Sequence, residues 1–530
     1  MTAFRHRLRT RLRGMPAPRY CRGLTPLVLS APDPLVGSGS LASLVLRPRP
    51  EPASHVSSTV VPLPRTTRPT GMPAITYSGA HIPNTGVDPL RGSFAEFARP
   101  TGPDLMARTA AIVPWILARR EAQVWPYARA VSTLPGATTT AEAERGEAGA
   151  MREGLNFATQ DYLSLASHPS VHAAAAEALR RYGVHSGGSA ALQGRSDISR
   201  ALEREIGEML QMEYVTLFSS GWGAAFGAVT ALVRPDDYIV MDRLAHASLQ
   251  TGAGAATKNI SRVEHLSVDA LRQALADIRA NDTTNGILVI TEGLFSMDSD
   301  SPDLRAMQAV CREYQATLFV DVAHDFGSLG PGGTGHVGRA GVLGDVDIVM
   351  GSFSKTFASN GGFVASRHPG VRTYIEAYGG PFTFSNALSP IQVATVREAL
   401  RIVRSAEGDA RRASLMTNVD ALRTACAAHD LKCLGDPSAV VPVLIGHTPL
   451  ARVASGGVLR RGLFANLVEF PAVGVRAARF RMQVMADHTP AQACEAARLM
   501  AEAVAEAREV LERARSVGKG ETPARETRAA

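Results

Sequence analysis

Lysine is nearly absent from this 530-residue sequence. Four of the 56 basic residues are lysines and the other 52 are arginines. Arginine keeps its proton, whereas a desolvated lysine loses it and becomes a nucleophile or forms a Schiff base. Lys355 follows the apolar stretch 348–350, where a buried strand is expected to end. It is therefore either an ordinary solvated turn residue or a lysine that holds an aldehyde cofactor.

Metal-binding cysteine motifs and long apolar runs are also missing. The five cysteines are scattered and form no CxxC pair, an arrangement that favours a reducing compartment and indicates no metal site. No apolar run approaches the roughly 20 residues that a membrane-spanning helix requires. We therefore expect a chain without a bound metal and without a membrane span.

Positive charge is in excess, but it is unevenly distributed. The formal net charge is +7, and the arginines at positions 5, 7, 9, 11, 13, 19 and 22 all precede the first acidic residue, Asp33. The remainder of the chain is close to neutral and lacks an aromatic and basic stripe. A basic tail on a near-neutral domain is favoured over nucleic-acid binding.

Residues 1–100 are rich in Pro, Arg, Ser and Thr and show no sustained hydrophobic period. Such a segment is predicted to be disordered or an extension, because it buries too little apolar surface to offset its ordering entropy. It can be an organelle transit peptide or an extension upstream of a true start at Met72. The bias towards arginine is typical of a GC-rich bacterial genome and favours the second, which implies a cytoplasmic protein rather than one of an organelle matrix.

The rest of the chain divides by pattern into four parts. The expected parts are a helical arm and linker at 101–154, a large domain at 155–385, a small α+β domain at 386–517 and a tail at 518–530. In the arm, residues 104–130 permit an amphipathic helix interrupted at Pro114, and residues 132–150 resemble a linker. Short apolar strands alternate with helices in the large domain, which predicts an α/β fold with a mostly parallel sheet wrapped by helices.

Unusual polar residues follow the predicted strands of the large domain. Each of five predicted strands is followed by such residues: 215–218 by 219–222, 238–241 by Asp242 and His246, 287–291 by 291–293, 317–320 by Asp321 and His324, and 348–350 by Ser352 and Lys355. Ligands bind at the carboxyl ends of the strands in such sheets. These five strand ends therefore supply one candidate pocket.

This pocket contains the supports that an aldehyde cofactor on a lysine requires. The pyridine nitrogen needs a carboxylate, the phosphate needs N–H donors at a helix start, and the ring needs a stacking partner. Asp321, the turn at 219–222 and His246 are the candidates, and His324 can hydrogen-bond a phenolate oxygen. Taken singly, the turn is more often a plain turn and each histidine more often a structural one, and Asp321 can be a helix cap. Their joint occurrence in the expected order favours the cofactor.

The motifs resemble those of the α-oxoamine synthase family of pyridoxal-phosphate (PLP) enzymes, from about Asn156 to Val510. The matching segments are SSGW (219–222), AHASL (245–249), TEGLFSMDSD (291–300), DVAH (321–324), LGPGGTG (329–335), SFSK (352–355), GGFVAS (361–366), PFTFSNALSP (381–390) and ADHTP (486–490). The resemblance implies a fold type I PLP-dependent transferase. It implies an acyltransferase that condenses serine, alanine or glycine with acyl-CoA or acyl carrier protein, with loss of carbon dioxide, to give an α-amino ketone.

The same resemblance implies roles for individual residues. Lys355 would carry the cofactor, Asp321 would pair with the pyridine nitrogen, and His246 would stack on the ring; these three are the expected catalytic residues. His324 and Ser296 would contact the phenolate oxygen. The phosphate would be held by the backbone of Gly221 and Trp222, by Ser352, and by Ser385 of the neighbouring subunit, so that a homodimer with shared active sites is expected. Arg481 would receive the amino-acid carboxylate.

Departures from the family pattern fall in the substrate region. Gln160 replaces an asparagine near substrate, Ser199 replaces a histidine, Ala190 stands where several members have a larger polar residue, and Glu469 precedes Phe470-Pro471 where some members have an RPP arginine. The substrate therefore stays open. The alternatives are an aminotransferase-type PLP enzyme and a non-catalytic subunit of the same family.

A protein that begins at Met72 should keep the activity of the full chain, because the preceding segment is expected to contribute nothing to the folded core. Expression of both forms, followed by circular dichroism and a turnover assay, checks this. Loss of folding or activity in the shorter form would contradict the interpretation of the amino terminus.

Overall fold

The computed structural model describes residues 76–77, 80–81, 86–142 and 151–520. Met72, most of the expected extension and residues 521–530 of the expected tail lie outside the described residues. The strands are β1 (Thr76–Tyr77), β2 (Ala80–His81), β3 (Thr138–Glu142), β4 (Met151–Phe157), β5 (Tyr214–Phe218), β6 (Tyr238–Asp242), β7 (Ile260–Val263), β8 (Ile287–Glu292), β9 (Thr317–Asp321), β10 (Ile348–Ser352), β11 (Gly362–Ser366), β12 (Lys432–Cys433), β13 (Val440–Gly446), β14 (Leu463–Val468) and β15 (Ala478–Gln483).

Helices occupy most of the remaining described chain. They are α1 (Phe94–Phe97), α2 (Leu105–Thr109), α3 (Val113–Glu121), α4 (Pro169–Tyr182), α5 (Asp197–Leu210), α6 (Gly221–Leu232), α7 (Ala247–Ala256), α8 (Val268–Asn281), α9 (Leu304–Glu313), α10 (Gly335–Arg339), α11 (Pro369–Tyr378), α12 (Gly380–Phe384), α13 (Pro390–Val403), α14 (Ala406–Ala428), α15 (Thr448–Arg460) and α16 (Pro490–Gly520). Short 3-10 turns lie at Ala110–Ile112 and Pro331–Gly333. None of the helices among the described residues combines the length and apolar character that crossing a lipid bilayer requires.

A seven-stranded sheet forms the centre of the large domain, in the order β5-β11-β10-β9-β8-β6-β7. The strands from β10 to β7 along this order pair in parallel, whereas β11 is antiparallel to both of its neighbours. Successive residues of β9, such as Leu318 and Phe319, belong to different hydrophobic clusters on the two faces of the sheet. The predicted α/β fold with a mostly parallel, helix-covered sheet is confirmed.

The five predicted strands of this sheet are present to within two residues at each end. Strand β11 was expected only as a motif, GGFVAS, and not as a strand. All five of its residues are buried, so its sequence shows no alternation of apolar and polar positions. Strand β7 was not predicted either, because it has only four residues.

A second, six-stranded sheet has the order β12-β13-β15-β14-β4-β3. Two of its strands, β3 and β4, precede the large domain in sequence, and β4 pairs in parallel with β14. The segment 132–150, expected to be a linker, thus contains strand β3. The threonines of β3 favour extended backbone, and Thr139 and Ala141 are buried on one face of the strand. A segment of five residues without a strong alternation of apolar and polar positions nevertheless does not predict a strand. The exact domain boundaries stay predictions.

The amino-terminal arm consists of three short helices. Pro114 lies in the first turn of α3, where its missing N–H costs no helical hydrogen bond, so the chain forms α2 and α3 in place of the one interrupted helix expected at 104–130. Asp104 caps α2 by accepting hydrogen bonds from the backbone N–H groups of Met106 and Ala107. Residues 94–97, placed in the extension by the sequence, form α1.

A buried cluster of charges attaches this arm to the carboxyl-terminal part of the chain. Arg119 and Arg452 are fully buried, and both contact the carboxylate of Glu469, with Nη1 of Arg119 at 2.9 Å from Oε1 and Nε of Arg452 at 2.7 Å from Oε2. Tyr127 donates a hydrogen bond of 3.1 Å to Oε1 of the same carboxylate. Burial lowers the pKa of Arg119, and the charge of Glu469 opposes this shift.

The arm also supplies acceptors and aromatic rings to these arginines. Arg452 donates to the backbone carbonyls of Arg91 and Gly92 at 3.0 and 2.8 Å. The guanidinium of Arg119 lies 4.8 Å from the ring centre of Trp115 and 5.2 Å from that of Trp125. Residues 86–127 are thus tied to α15 and to the end of β14.

Replacement of Glu469 by alanine should lower the free energy of unfolding by about 3–5 kcal/mol, because two buried arginines lose their counter-charge. Urea denaturation at neutral pH measures this. Glu398→Ala is the matched control, since Glu398 pairs with an exposed Arg401 and solvent screens such a pair. Equal changes for the two variants would contradict the assigned role of Glu469.

Candidate active site

A pocket of about 420 Å³ lies at the carboxyl ends of the central strands of the large sheet. Seven of the residues predicted from the sequence line it: Gly221, Trp222, His246, Asp321, His324, Ser352 and Lys355. They come from the ends of β5, β6, β9 and β10, as expected for an open sheet of this type. The four other predicted residues, Gln160, Ser296, Ser385 and Arg481, do not line this pocket.

Lys355 lies in the loop that follows β10, with its side chain half-buried. Burial lowers its pKa, and the nearby charge of Arg481 lowers it further. The carboxylates of Asp321 and Glu292 act in the opposite direction. The net shift is downward, so a larger fraction of the amine is unprotonated at neutral pH than in a solvated lysine.

Two acidic residues that act on this lysine lie side by side in the sheet. Asp321 ends β9 and Glu292 ends β8, and the two are direct partners in the parallel ladder. Burial raises the pKa of both, that of Glu292 to well above its ordinary value. The charge of Lys355 partly opposes the shift of Asp321, which also accepts a hydrogen bond of 2.9 Å from the N–H of Ala323. The sequence singled out Asp321 but gave Glu292 no role, since only the register shows that they are neighbours.

Two histidines face the same space. His246 caps α7, with Nδ1 at 2.8 Å from Oγ of Ser248, and its ring packs edge-to-face against Trp222 at 6.2 Å. The ring of His246 is accessible from the pocket, yet the protein around it excludes enough water to lower its pKa. His324 is buried, Nδ1 lies 2.8 Å from the hydroxyl of Tyr162, and burial lowers its pKa well below the usual range. Both imidazoles are therefore neutral at pH 7.

Tyr162 was not among the predicted site residues. It is fully buried and belongs to the segment TQDYLSL, where nothing distinguishes it from a core tyrosine. Its hydroxyl orients the ring of His324 from a position 162 residues away in sequence. Only the fold reveals this partnership.

The start of α6 forms a cradle suited to an anion. Ser220 caps the helix, and the first backbone hydrogen bond within it runs from the N–H of Ala224 to Ser220, so the N–H groups of Gly221 and Trp222 precede the helical ladder. A Cβ at Gly221 would lie 2.6 Å from Cβ and Oγ of Ser352. Only glycine permits this close approach of the helix start to the serine hydroxyl. The donors fit a phosphate group, for which a helix N-terminus is a ready site.

Arg481 forms no ion pair with any carboxylate in the part of the chain that the structure describes. Its Nε is buried and has no hydrogen-bond partner among the described residues, and its Nη1 lies 3.9 Å from Sδ of Met297. Burial lowers its pKa. Its charge also lowers the pKa of Lys355 and His324, two residues that line the pocket. A guanidinium in this condition fits a carboxylate ligand, which it can bind through two parallel hydrogen bonds.

The three remaining predicted residues lie around this centre. Ser296 is buried in the turn that follows β8, Gln160 is half-buried just after β4, and Ser385 is exposed at the end of α12. Ser385 follows Phe384, whose side chain is 89% exposed. The roles expected for these three residues stay predictions.

Comparison with known proteins gives a consistent result. The family model described as aminotransferase class I and II matches residues 152–499. An 8-amino-7-oxononanoate synthase from Geobacter sulfurreducens is 33% identical over 369 residues, which cover 70% of this chain and 91% of the relative.

Solved structures of serine palmitoyltransferase are similar throughout their length. One is from Sphingomonas wittichii, with 28% identity, a TM-score of 0.70, and coverage of 77% of this chain and 99% of that chain. Another is a variant from S. paucimobilis with bound PLP and myriocin, with 28% identity, a TM-score of 0.70, and coverage of 77% of this chain and 100% of that chain.

The ε-amine of Lys355 should titrate below the ordinary lysine pKa of 10.5, because burial disfavours its charged form. Reductive methylation with ¹³C-formaldehyde followed by NMR at increasing pH measures this, and the four lysines of the chain give few signals to resolve. Lys355→Arg identifies the resonance. In Asp321→Asn the pKa should fall further, since that carboxylate raises it. A pKa of Lys355 at or above 10.5 would contradict the burial argument.

Proposed function

We propose that this chain, which belongs to the aminotransferase class I and II family and within it to the α-oxoamine synthases, uses serine, alanine or glycine as its amino acid. The second substrate in this proposal is an acyl thioester. The protein is a PLP-dependent acyltransferase whose reaction joins an amino acid to an acyl thioester. The identity of both substrates is the part proposed here. The observation that carries the proposal is the guanidinium of Arg481, whose Nε is buried without a hydrogen-bond partner among the described residues and whose charge lowers the pKa of Lys355.

The residues of the pocket fit PLP. The glycine cradle at the start of α6 and Ser352 would hold the phosphate, and Asp321 would keep a proton on the ring nitrogen. His246 would pack against the ring, and the neutral imidazole of His324 would contact the phenolate oxygen. Ser296, which is not part of the pocket lining and lies in the turn after β8, is proposed to contact the same oxygen. When bound, the cofactor supplies an electron sink next to the α-carbon of the amino acid.

Lys355 has two tasks in this scheme. Its amine would anchor the cofactor, and after the amino acid has bound, Nζ would accept the proton from the α-carbon. Both tasks need an unprotonated amine at neutral pH, which the lowered pKa of Lys355 favours. Arg481 meanwhile binds the carboxylate of the amino acid and orients the Cα–H bond.

The overall reaction balances without an oxidant or a reductant. A carbon–carbon bond forms between the α-carbon and the thioester carbonyl carbon, and the thiol leaves with a proton. Loss of the carboxylate as carbon dioxide leaves an electron pair on the α-carbon, which takes up one proton from solvent to give the α-amino ketone. Acyl-CoA and acyl carrier protein both present such a thioester, and the assay distinguishes them.

We also propose that two copies of this chain share their active sites. Ser385 and the exposed Phe384 lie at the end of α12, and Ser385 does not line the pocket of its own chain. This is the arrangement expected if the serine reaches the phosphate of a neighbouring copy. The cytoplasmic location inferred from composition stays a prediction.

Two rivals give different products. An aminotransferase-type enzyme would return an α-keto acid and release no thiol, whereas a non-catalytic subunit would do neither. Lys355, Asp321 and His246 lie together in one pocket, which speaks against the non-catalytic reading.

The function is tested by measuring thiol release when each amino acid is mixed with acyl-CoA of increasing chain length or with acylated acyl carrier protein. Mass spectrometry identifies the ketone product. Lys355→Ala should lower turnover by at least about 100-fold, because the base is lost, and borohydride should no longer fix the cofactor to the protein. Lys258→Ala is the control, since Lys258 is exposed. Borohydride fixation that persists in Lys355→Ala would overturn the assignment.

A further inference from the structure

His265 lies between β7 and α8, outside the pocket, and bridges two carboxylates. Its Nδ1 is 2.9 Å from Oδ2 of Asp242 and its Nε2 is 3.1 Å from Oδ2 of Asp300. The side chain of His265 is 14% exposed and that of Asp242 is 5% exposed. The ring also packs edge-to-face against Phe295 at 4.6 Å.

This geometry requires a charged imidazole. An ionised carboxylate only accepts hydrogen bonds, and an imidazole donates from both nitrogens only when it is protonated. Burial lowers the pKa of His265, but the hydrogen bonds and charges of Asp242 and Asp300 outweigh this and raise it to about 9. His265 is thus a cation at neutral pH held between two anions.

The first of these anions organises the turn that carries His246. Asp242 ends β6; its Oδ1 accepts from the N–H of Leu244 at 2.8 Å, and its backbone carbonyl accepts from the N–H of Ala245 at 3.1 Å. His246 follows directly and caps α7. The position of Asp242 therefore sets where the imidazole of His246 lies in the pocket.

The second anion closes the turn that carries Ser296. The carbonyl of Asp300 accepts from the N–H of Phe295 at 2.9 Å, and the carbonyl of Phe295 accepts from the N–H of Ser299 at 2.9 Å. Residues 295–300, here called the serine turn, thus form a compact unit, and His265 binds its last residue through the carboxylate of Asp300. Glu292, the neighbour of Asp321, lies three residues before this turn.

The serine turn also touches the strand that carries Arg481. Arg479 donates to the carbonyl of Met297 at 2.9 Å and to Oδ1 of Asp298 at 2.5 Å, and Nη1 of Arg481 lies 3.9 Å from Sδ of the same methionine. A shift of the serine turn would therefore displace a direct neighbour of the arginine that is proposed to bind the amino acid.

We propose that His265 is a positioning residue: it clamps the His246 turn to the serine turn and thereby sets the affinity of the site for PLP and for the amino acid. The proposal rests on the proposed function for the roles of His246, Ser296 and Arg481. His265 itself touches none of the reacting atoms. It acts through Asp242 on the turn that carries His246, and through Asp300 on the serine turn, which carries Ser296 and contacts the neighbourhood of Arg481.

Two variants probe the clamp from its two ends. His265→Gln removes the charge and one of the two donors, and Asp300→Asn keeps the shape of the side chain while removing one anion. His447→Gln is the matched control, because His447 is exposed at the start of α15. Each protein is compared with the unchanged chain in three measurements: the Kd for PLP by titration of the apoenzyme, KM and kcat for the amino acid, and Tm.

Each clamp variant should raise the Kd for PLP and the KM for the amino acid by about tenfold, the size expected for loss of a hydrogen bond to a charged group, with a smaller change in kcat. The double variant should be no worse than His265→Gln alone, because the two changes break one interaction. His447→Gln should match the unchanged chain.

Unchanged Kd and KM in Asp300→Asn, or a lower Tm as the only effect of His265→Gln, would overturn the positioning role and leave His265 as a purely stabilising residue. The titration with PLP does not depend on turnover. If the unchanged chain binds PLP but releases no thiol with any acyl donor, the proposed condensation fails while the clamp is still tested.

Discussion

Charge burial at the carboxyl ends of β8, β9 and β10 is the constraint on which the site depends. Asp321 and Glu292 lie side by side in the sheet with Lys355 close to both. Two buried carboxylates disfavour each other's ionisation, and partial burial of the Lys355 amine disfavours its charged form, so the protonation states of the three groups are coupled. The surrounding neutral histidines add no net charge. The reactivity of Lys355 is thus a property of the three groups together and not of the lysine alone.

Much of this arrangement could be predicted because it is local in sequence. Each polar group that follows an apolar strand falls at the same edge of a parallel sheet, so Lys355, Asp321 and His246 converge without any knowledge of distances. The partners of these groups could not be predicted in the same way. Tyr162 and His324 are 162 residues apart and meet only through the fold. The register that places Glu292 next to Asp321 is likewise set by the parallel pairing of β8 with β9.

Strand β3 shows a different limit. Its five residues have little apolar character, and they form a strand because β4 offers an edge to which they can bond. The same sheet takes its other strands from beyond residue 431. A segment read as a linker therefore completes a sheet made mostly by the far end of the chain, and no pattern within the segment carries that information.

The buried pairing of Arg119 and Tyr127 with Glu469 has a consequence for synthesis on the ribosome. Tyr127 and Glu469 are separated by 342 residues. At translation rates of about 5–20 residues per second, the arm emerges roughly 17–70 s before its carboxylate partner exists. During that interval Arg119 has no buried anion to meet and keeps its hydration shell. The arm therefore docks among the last parts of the nascent chain, after the large sheet has had time to form.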